Sequence, residues 1–151
     1  MHNKLKIDEK IFCRITRLYG RTFNLPPLAS KIYAYMIFDF DRNGVTFDDL
    51  VETFAASKSS VSTSLNLLLS NNLITDINKL DERKRYFSIN ENFVKIRFQE
   101  IVERLKEEIV IIEGLEKFNE NFSPEVINRT KIHKTLLKKN ISNIEESLSK
   151  L

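Results

Sequence analysis

Several things are scarce in this chain of 151 residues: it has one cysteine, three glycines and three prolines. A lone Cys13 cannot form an intrachain disulfide and fits a reducing compartment. So little glycine and proline leaves little sequence for loops. No run approaches the roughly 18 apolar residues that a membrane span needs. The opening MHNKLKIDEK has no apolar stretch of the kind a secretory signal requires. These absences predict a cytoplasmic protein with no membrane partner. Apolar residues make up 42% and charged residues 30%, which suits one soluble domain with a real core. The net charge of +3 permits nucleic acid as a partner without requiring it.

The most informative stretch is Ser57 to Asn72, SKSSVSTSLNLLLSNN. Val61, Leu65, Leu68 and Leu69 recur at helical spacing and predict one apolar stripe. Ser59, Ser60, Ser62, Thr63 and Asn66 cover much of the rest and are short, polar and uncharged. A merely solvated face would more often carry Lys and Glu, which form helices better. Short hydroxyls and amides let a helix approach closely and still exchange hydrogen bonds, as a DNA major groove demands. Taken alone, the stretch reads better as an ordinary amphipathic helix with a Ser-rich outside. Its neighbours decide the matter.

Upstream, Asp8 suits an N-cap, with Ile7 and Phe12 placed as a hydrophobic staple and Gly20 as the stop. Leu25-Pro26-Pro27 opens a second helix whose apolar residues fall on several faces, which predicts a central, buried element. Asp39, Asp41, Asn43 and Gly44 match the start of an EF-hand loop, but Leu50 stands where its bidentate Glu should be. The segment therefore reads as a polar turn with Asn43-Gly44 at its corner. Thr46 and Asp49 predict a capped helix ending near Ala55-Ala56, and Ser57 caps the next one. Two helices so closely joined form a helix-turn-helix.

Leu73, Ile74 and Ile77 suggest a strand, and Arg85 to Ile89 a second, joined by a charged loop over 79–85. Helix, turn, helix and a hairpin with a basic tip make a winged helix-turn-helix. At that tip Arg83, Lys84 and Arg85 suit phosphate or minor-groove contact. The basic charge is local. From Thr46 to Asn90, Asp48, Asp49, Glu52, Asp76, Asp81 and Glu82 outnumber Lys58, Lys79, Arg83, Lys84 and Arg85.

A long helix starts at Asn90 or Asn92, with Phe98, Ile101, Leu105 and Ile112 as its stripe, widened by Val110, Ile111 and Leu115. Ser123-Pro124-Glu125 restarts the chain as a final helix. There Leu137, Ile141, Ile144 and Leu148 alternate steps of four and three, a coiled-coil-like seam. This seam predicts a homodimer; an intrachain hairpin with facing seams explains it too. Segments 1–40, 41–90 and 91–151 would then form one domain: N-terminal helices, winged helix-turn-helix and dimerisation helices. Catalysis finds no support. His2 and His133 lie far apart, and no metal-ligand spacing, catalytic triad order or phosphate-binding glycine loop occurs. The expectation is no enzyme, no cofactor and no metal.

The stretch Leu50 to Leu73 resembles the helix-turn-helix of the MarR group of transcriptional regulators. In that group a small polar cap precedes Lys or Arg and then Ser-Ser/Thr-Val-Ser/Thr, supplied here by Ser57, Lys58, Ser59, Ser60, Val61 and Ser62. Asn72 stands where the group usually has Gly, and Asn also tolerates a left-handed backbone. Asp81 to Arg85 resembles its wing, and Tyr19 to Ala29 is similar to the GbsR-like branch. The resemblance implies a homodimeric, mostly helical regulator with a small hairpin wing, a repressor that binds double-stranded DNA at a pseudo-palindromic site. Ser57, Lys58, Ser59, Ser60, Ser62, Thr63 and Asn66 would meet DNA from the helix, and Arg83, Lys84 and Arg85 from the wing. The rival is a winged helix that docks protein through its C-terminal helices.

For the branch, a small-molecule effector is implied. Phe12, Tyr19, Phe23, Tyr33, Tyr35 and Phe38 could cage a quaternary ammonium, although an aromatic core accounts for the same residues. Peroxide-sensing relatives use an N-terminal cysteine, but helical register predicts a partly buried, inert Cys13.

Overall fold

The computed structural model describes residues 4–80 and 82–151; His2 and Asp81 therefore lie outside the described residues. The chain divides into two compact units, Met1–Glu91 and Asn92–Leu151, where the sequence suggested one domain of three segments. The N-terminal helices join the winged segment in the first unit because one of them forms its core.

The first unit runs α1 (Glu9–Thr22), α2 (Pro27–Ile37), β1 (Val45–Thr46), α3 (Phe47–Phe54), α4 (Lys58–Ser70), β2 (Ile74–Ile77) and β3 (Tyr86–Ile89). This is a winged helix-turn-helix. Helix α2 packs against α1, α4 and β3 at once, and Ala29, Ile32, Ala34 and Met36 are at most 1% exposed. Its small residues permit that close approach. The Ser30 hydroxyl, also buried, donates to the carbonyls of Leu25 and Pro26.

Asp8 caps α1 as expected, accepting from the Ile11 N–H at 2.8 Å. Gly20 does not end the helix, which continues to Thr22. A Cβ at Gly20 would lie 2.9 Å from the Ser30 hydroxyl, so this glycine allows α1 to approach α2. The true stop is Asn24, at φ 51°. The Leu25 N–H then reaches the Gly20 carbonyl and the Asn24 N–H reaches that of Arg21, a Schellman ending. No residue of α1 is buried. Cys13 is exposed rather than partly buried, because α1 covers only one narrow side of itself on α2.

The polar turn forms around Asp39, which is 3% exposed. Its two carboxylate oxygens accept from the N–H groups of Asn43 and Gly44. Arg42 and Gly44, not Asn43, take the positive φ angles that reverse the chain. The chain then adds β1, a two-residue strand that sequence reading missed, paired through Val45 with Phe87 of β3. Thr46 doubles as the N-cap of α3 in a capping box with Asp49.

The second unit is a helical hairpin of α5 (Phe93–Phe118) and α6 (Pro124–Leu148), which pack on each other. Ser123 caps α6 by accepting from the Val126 N–H. Lys106 meets Glu145 at 3.1 Å and Lys134 meets Glu116 at 2.7 Å across the hairpin. Hydrogen bonding to those carboxylates, and then their charge, hold both ammonium groups above the ordinary lysine value. His133 pairs with Glu108 at 3.0 Å. Leu137 is buried and Ile141, Ile144 and Leu148 are half-buried. The packing of α5 on α6 covers Leu137 and part of Ile141, Ile144 and Leu148, as the intrachain reading of the seam allowed. Val110, Ile111 and Leu115 do not widen the α5 stripe but stay exposed. Among the described residues, no helix is long and apolar enough to cross a membrane.

Helix α3 ends on Ala55 at φ 47°, with the Ala56 N–H bonded to the Val51 carbonyl. A left-handed Cβ costs on the order of 1–2 kcal/mol, partly offset in a glycine by greater freedom when unfolded. Ala55→Gly should therefore raise stability to urea by about 0.5–1 kcal/mol, while Asn72→Gly stays within about 0.5 kcal/mol. Loss of stability in Ala55→Gly would contradict this account of the turn.

Candidate nucleic-acid interface

Helix α4 is built with two faces. Val61, Ser64, Leu65 and Leu68 are buried. Ser59, Thr63, Asn66 and Ser70, at steps of four, three and four, occupy the opposite side and are all exposed. Ser62 and Lys58 are exposed beside them. None of the four central residues carries a charge. Ser70, absent from the predicted set, completes this face, though its hydroxyl already donates to the Leu67 carbonyl at 2.9 Å. The step of four from Asn66 was the signal that would have found it.

The N-terminus of α4 is fixed locally. Ser57 accepts from the Ser60 N–H at 3.1 Å and donates to the Ser60 hydroxyl at 2.8 Å. These two predicted contacts thus belong first to the cap. At the other end Asn72 takes φ 57°, the left-handed conformation expected of it. The Leu73 N–H closes on the Leu68 carbonyl, and both side chains are fully buried. The Asn90 amide donates to the Asn72 carbonyl at 2.9 Å and ties the end of the hairpin to the end of α4. Helix and wing are thereby joined at their base.

The sheet order is β1-β3-β2, all antiparallel, with Asp76 opposite Phe87 and Ile77 opposite Tyr86. The wing cations differ in their surroundings. Arg83 and Lys84 are exposed. Arg85 lies 2.5 Å from Asp76 and stacks over Phe87, 5.1 Å from the ring centroid. Lys79, omitted from the predicted contacts, sits 4.0 Å over the Tyr86 ring. The Tyr86 hydroxyl donates to Glu82. That hydrogen bond, with burial and the nearby acids adding to it, raises the phenol above its ordinary value. A polar cleft of about 500 Å³ opens behind the wing, with Tyr35, Asp39, Asp49, Lys79, Lys84 and Tyr86 among its walls.

The aromatic residues considered as a cage fall into separate groups: Tyr19 stacks on Phe23 and both meet Tyr33 edge-on, while Tyr35 meets Phe54 and Phe38 meets Phe40. Tyr33, Tyr35 and Phe38 are buried among the core residues. Among the described residues no three metal-ligating side chains come together.

No protein-family model matches this chain, and no curated protein matches it. Among solved structures, it is similar to one described as a transcriptional regulator. The identity is 17% and the TM-score 0.59, over 94% of this chain and 95% of the other. It also aligns with MepR of Staphylococcus aureus, a transcription regulator of the multidrug efflux pump MepA, at 15% identity and TM-score 0.44 over 88% and 91%. A MepR–DNA complex aligns at 15% identity and TM-score 0.43 over 93% and 89%. The first likeness extends over nearly the whole of both chains and shows a shared fold. The MepR overlays are too loose to bear on it.

The Tyr86–Glu82 bond has a pH consequence. The folded chain holds the phenolic proton more tightly than the unfolded chain, so this contribution to stability is present below about pH 10 and lost as pH rises through the raised value. In Glu82→Gln, the Tyr86 ionisation followed by NMR of labelled tyrosine should fall toward the ordinary value. An unchanged titration would remove Glu82 as the cause.

Proposed function

We propose that this chain is a DNA-binding transcriptional regulator of the MarR type that acts as a homodimer. The observation that carries this reading is the exposed, uncharged polar face of α4 through Ser59, Thr63 and Asn66, beside a wing with exposed Arg83 and Lys84. That face suits base edges in a major groove, and the wing cations suit phosphate or a narrow minor groove. Lys58 adds a phosphate contact at the start of the helix. Ser57, Ser60 and Ser62 serve the backbone, Ser57 and Ser60 chiefly by holding the first turn in place. The described relative with the shared fold is a transcriptional regulator, which agrees with this reading.

The homodimer supplies two such helices for a pseudo-palindromic site. Its surface lies on residues the hairpin leaves open. Ile111, Leu115 and Phe118 follow at helical spacing on α5, and Ile132 and Leu136 on α6, each at least 55% exposed. Leu137, Ile141, Ile144 and Leu148 act one step back, by fixing the hairpin that presents this surface. An effector would act from the polar cleft behind the wing, where it reaches Lys79 and Lys84. The reading places the protein in the cytoplasm, as a repressor with no catalytic role.

Ile132→Asp with Leu136→Asp should lower the mass seen by sedimentation while leaving the helical signal intact. A folded variant of unchanged mass would overturn this choice of surface. On DNA, six to ten phosphate contacts per dimer would cost about a thousandfold or more in affinity between roughly 50 and 200 mM salt. Against a selected site and its scrambled version, Asn66→Ala should relax one or two base positions, a loss of ~1–3 kcal/mol in discrimination. Arg83→Ala should weaken both duplexes alike and flatten the salt slope. No binding to random genomic DNA at low salt would sink the regulator reading and favour a protein-docking winged helix.

A further inference from the structure

The wing carries a negative charge where a phosphate would be expected to sit. Asp76 stands on β2, one strand over from Arg85, which immediately precedes β3. The guanidinium is 2.5 Å from the Asp76 carboxylate, and Phe87, only 2% exposed, supports it from one side. The pair is at the surface: the Arg85 side chain is 59% exposed and that of Asp76 39%. A guanidinium fork fits a carboxylate and a phosphate in the same way, so the two anions compete for one set of donors. An exposed ion pair is weak enough to be given up to such a competitor. The rest of the hairpin follows the same pattern. Lys79 rests on Tyr86, and Tyr86 is bonded to Glu82. From Ile74 to Asn90 three acids stand against four bases.

We propose that Asp76 is a built-in competitor for DNA phosphate at Arg85, which limits how tightly the wing holds any duplex. The proposal rests on the regulator reading above and adds a residue that no contact to DNA would reveal. In the free protein Arg85 is occupied. On DNA, a phosphate must either displace Asp76 or bind against its charge. The weakening is independent of base sequence, because it acts on the phosphate contact alone. Discrimination is left to the neutral face of α4, and the wing contributes a hold that salt can release.

The test uses the full chain and a random-sequence duplex, so no operator is needed. Asp76→Asn keeps the shape and removes the charge. Its affinity at low salt should rise by about fivefold, the worth of one unit charge a few ångströms away in water. The plot of log affinity against log salt should steepen by about one per chain, as one more phosphate is neutralised. Arg85→Ala should then cost more in the Asp76→Asn background than in the wild type, because only there is Arg85 fully available. A residue that merely braced the hairpin would shift the urea midpoint and leave slope and coupling unchanged. Wild-type binding with an unaltered slope in Asp76→Asn overturns the competitor and leaves the regulator reading standing. If neither protein binds duplex at low salt, both fall.

Discussion

The burial of α2 is the constraint on which the rest of the first unit depends. This helix is packed by α1, α4 and β3 and leaves only Pro27 and Lys31 exposed. Apolar area at the centre of a small unit is the main favourable term available to it. Because α4 packs on α2 and buries Val61, Leu65 and Leu68, its rotation is fixed by the core. Ser59, Thr63 and Asn66 are then presented outward by default, since a helix can turn only one face inward. The outward chemistry of α4 is therefore free to vary without disturbing the fold, while its inward stripe is not.

Three of the four helix endings in this unit, those of α1, α3 and α4, use one device. Asn24, Ala55 and Asn72 each take a left-handed conformation, and in each case two backbone N–H groups close on the last turn. Glycine would be the usual choice, but the chain has only three and uses two of them elsewhere. One allows α1 to approach Ser30 and one reverses the chain before β1 beneath Tyr86. Asparagine bears the left-handed geometry at modest cost, and alanine less well. The short turn between α3 and α4 is thus the strained member of the set, and it is the turn that sets the angle between the two helices.

Much of the fold was legible because its signals are local. Asp8, Thr46, Ser57 and Ser123 all cap the helices they were expected to cap. The stripe of α4 and the burial of α2 on several faces followed from spacing alone. What was not legible depends on partners distant in sequence. Gly20 looks like a stop, and only the nearness of Ser30 explains it. The two residues of β1 have no pattern of their own and are strand because Phe87 lies beside them. Cys13 was misjudged for the same reason: register gives a face but not what covers it. At the candidate interface, the polar face of α4 could be read from residue type. The occupation of Arg85 by Asp76 could not, because nine residues and a hairpin separate them.

Strand β2 lies at an edge of the sheet, with the sequence Ile-Thr-Asp-Ile. Three of its four residues are β-branched and uncharged, the composition of a strand that recruits further strands. Natural edges are blunted by a charge placed among such residues. Asp76 is the one charge on this strand, and its exposed carboxylate sits at the middle of it. The same residue therefore bears on solution behaviour. At high concentration, a chain without that charge would offer Ile74–Ile77 as an open template for self-association, and shelf life and expression yield would depend on the side chain that pairs with Arg85.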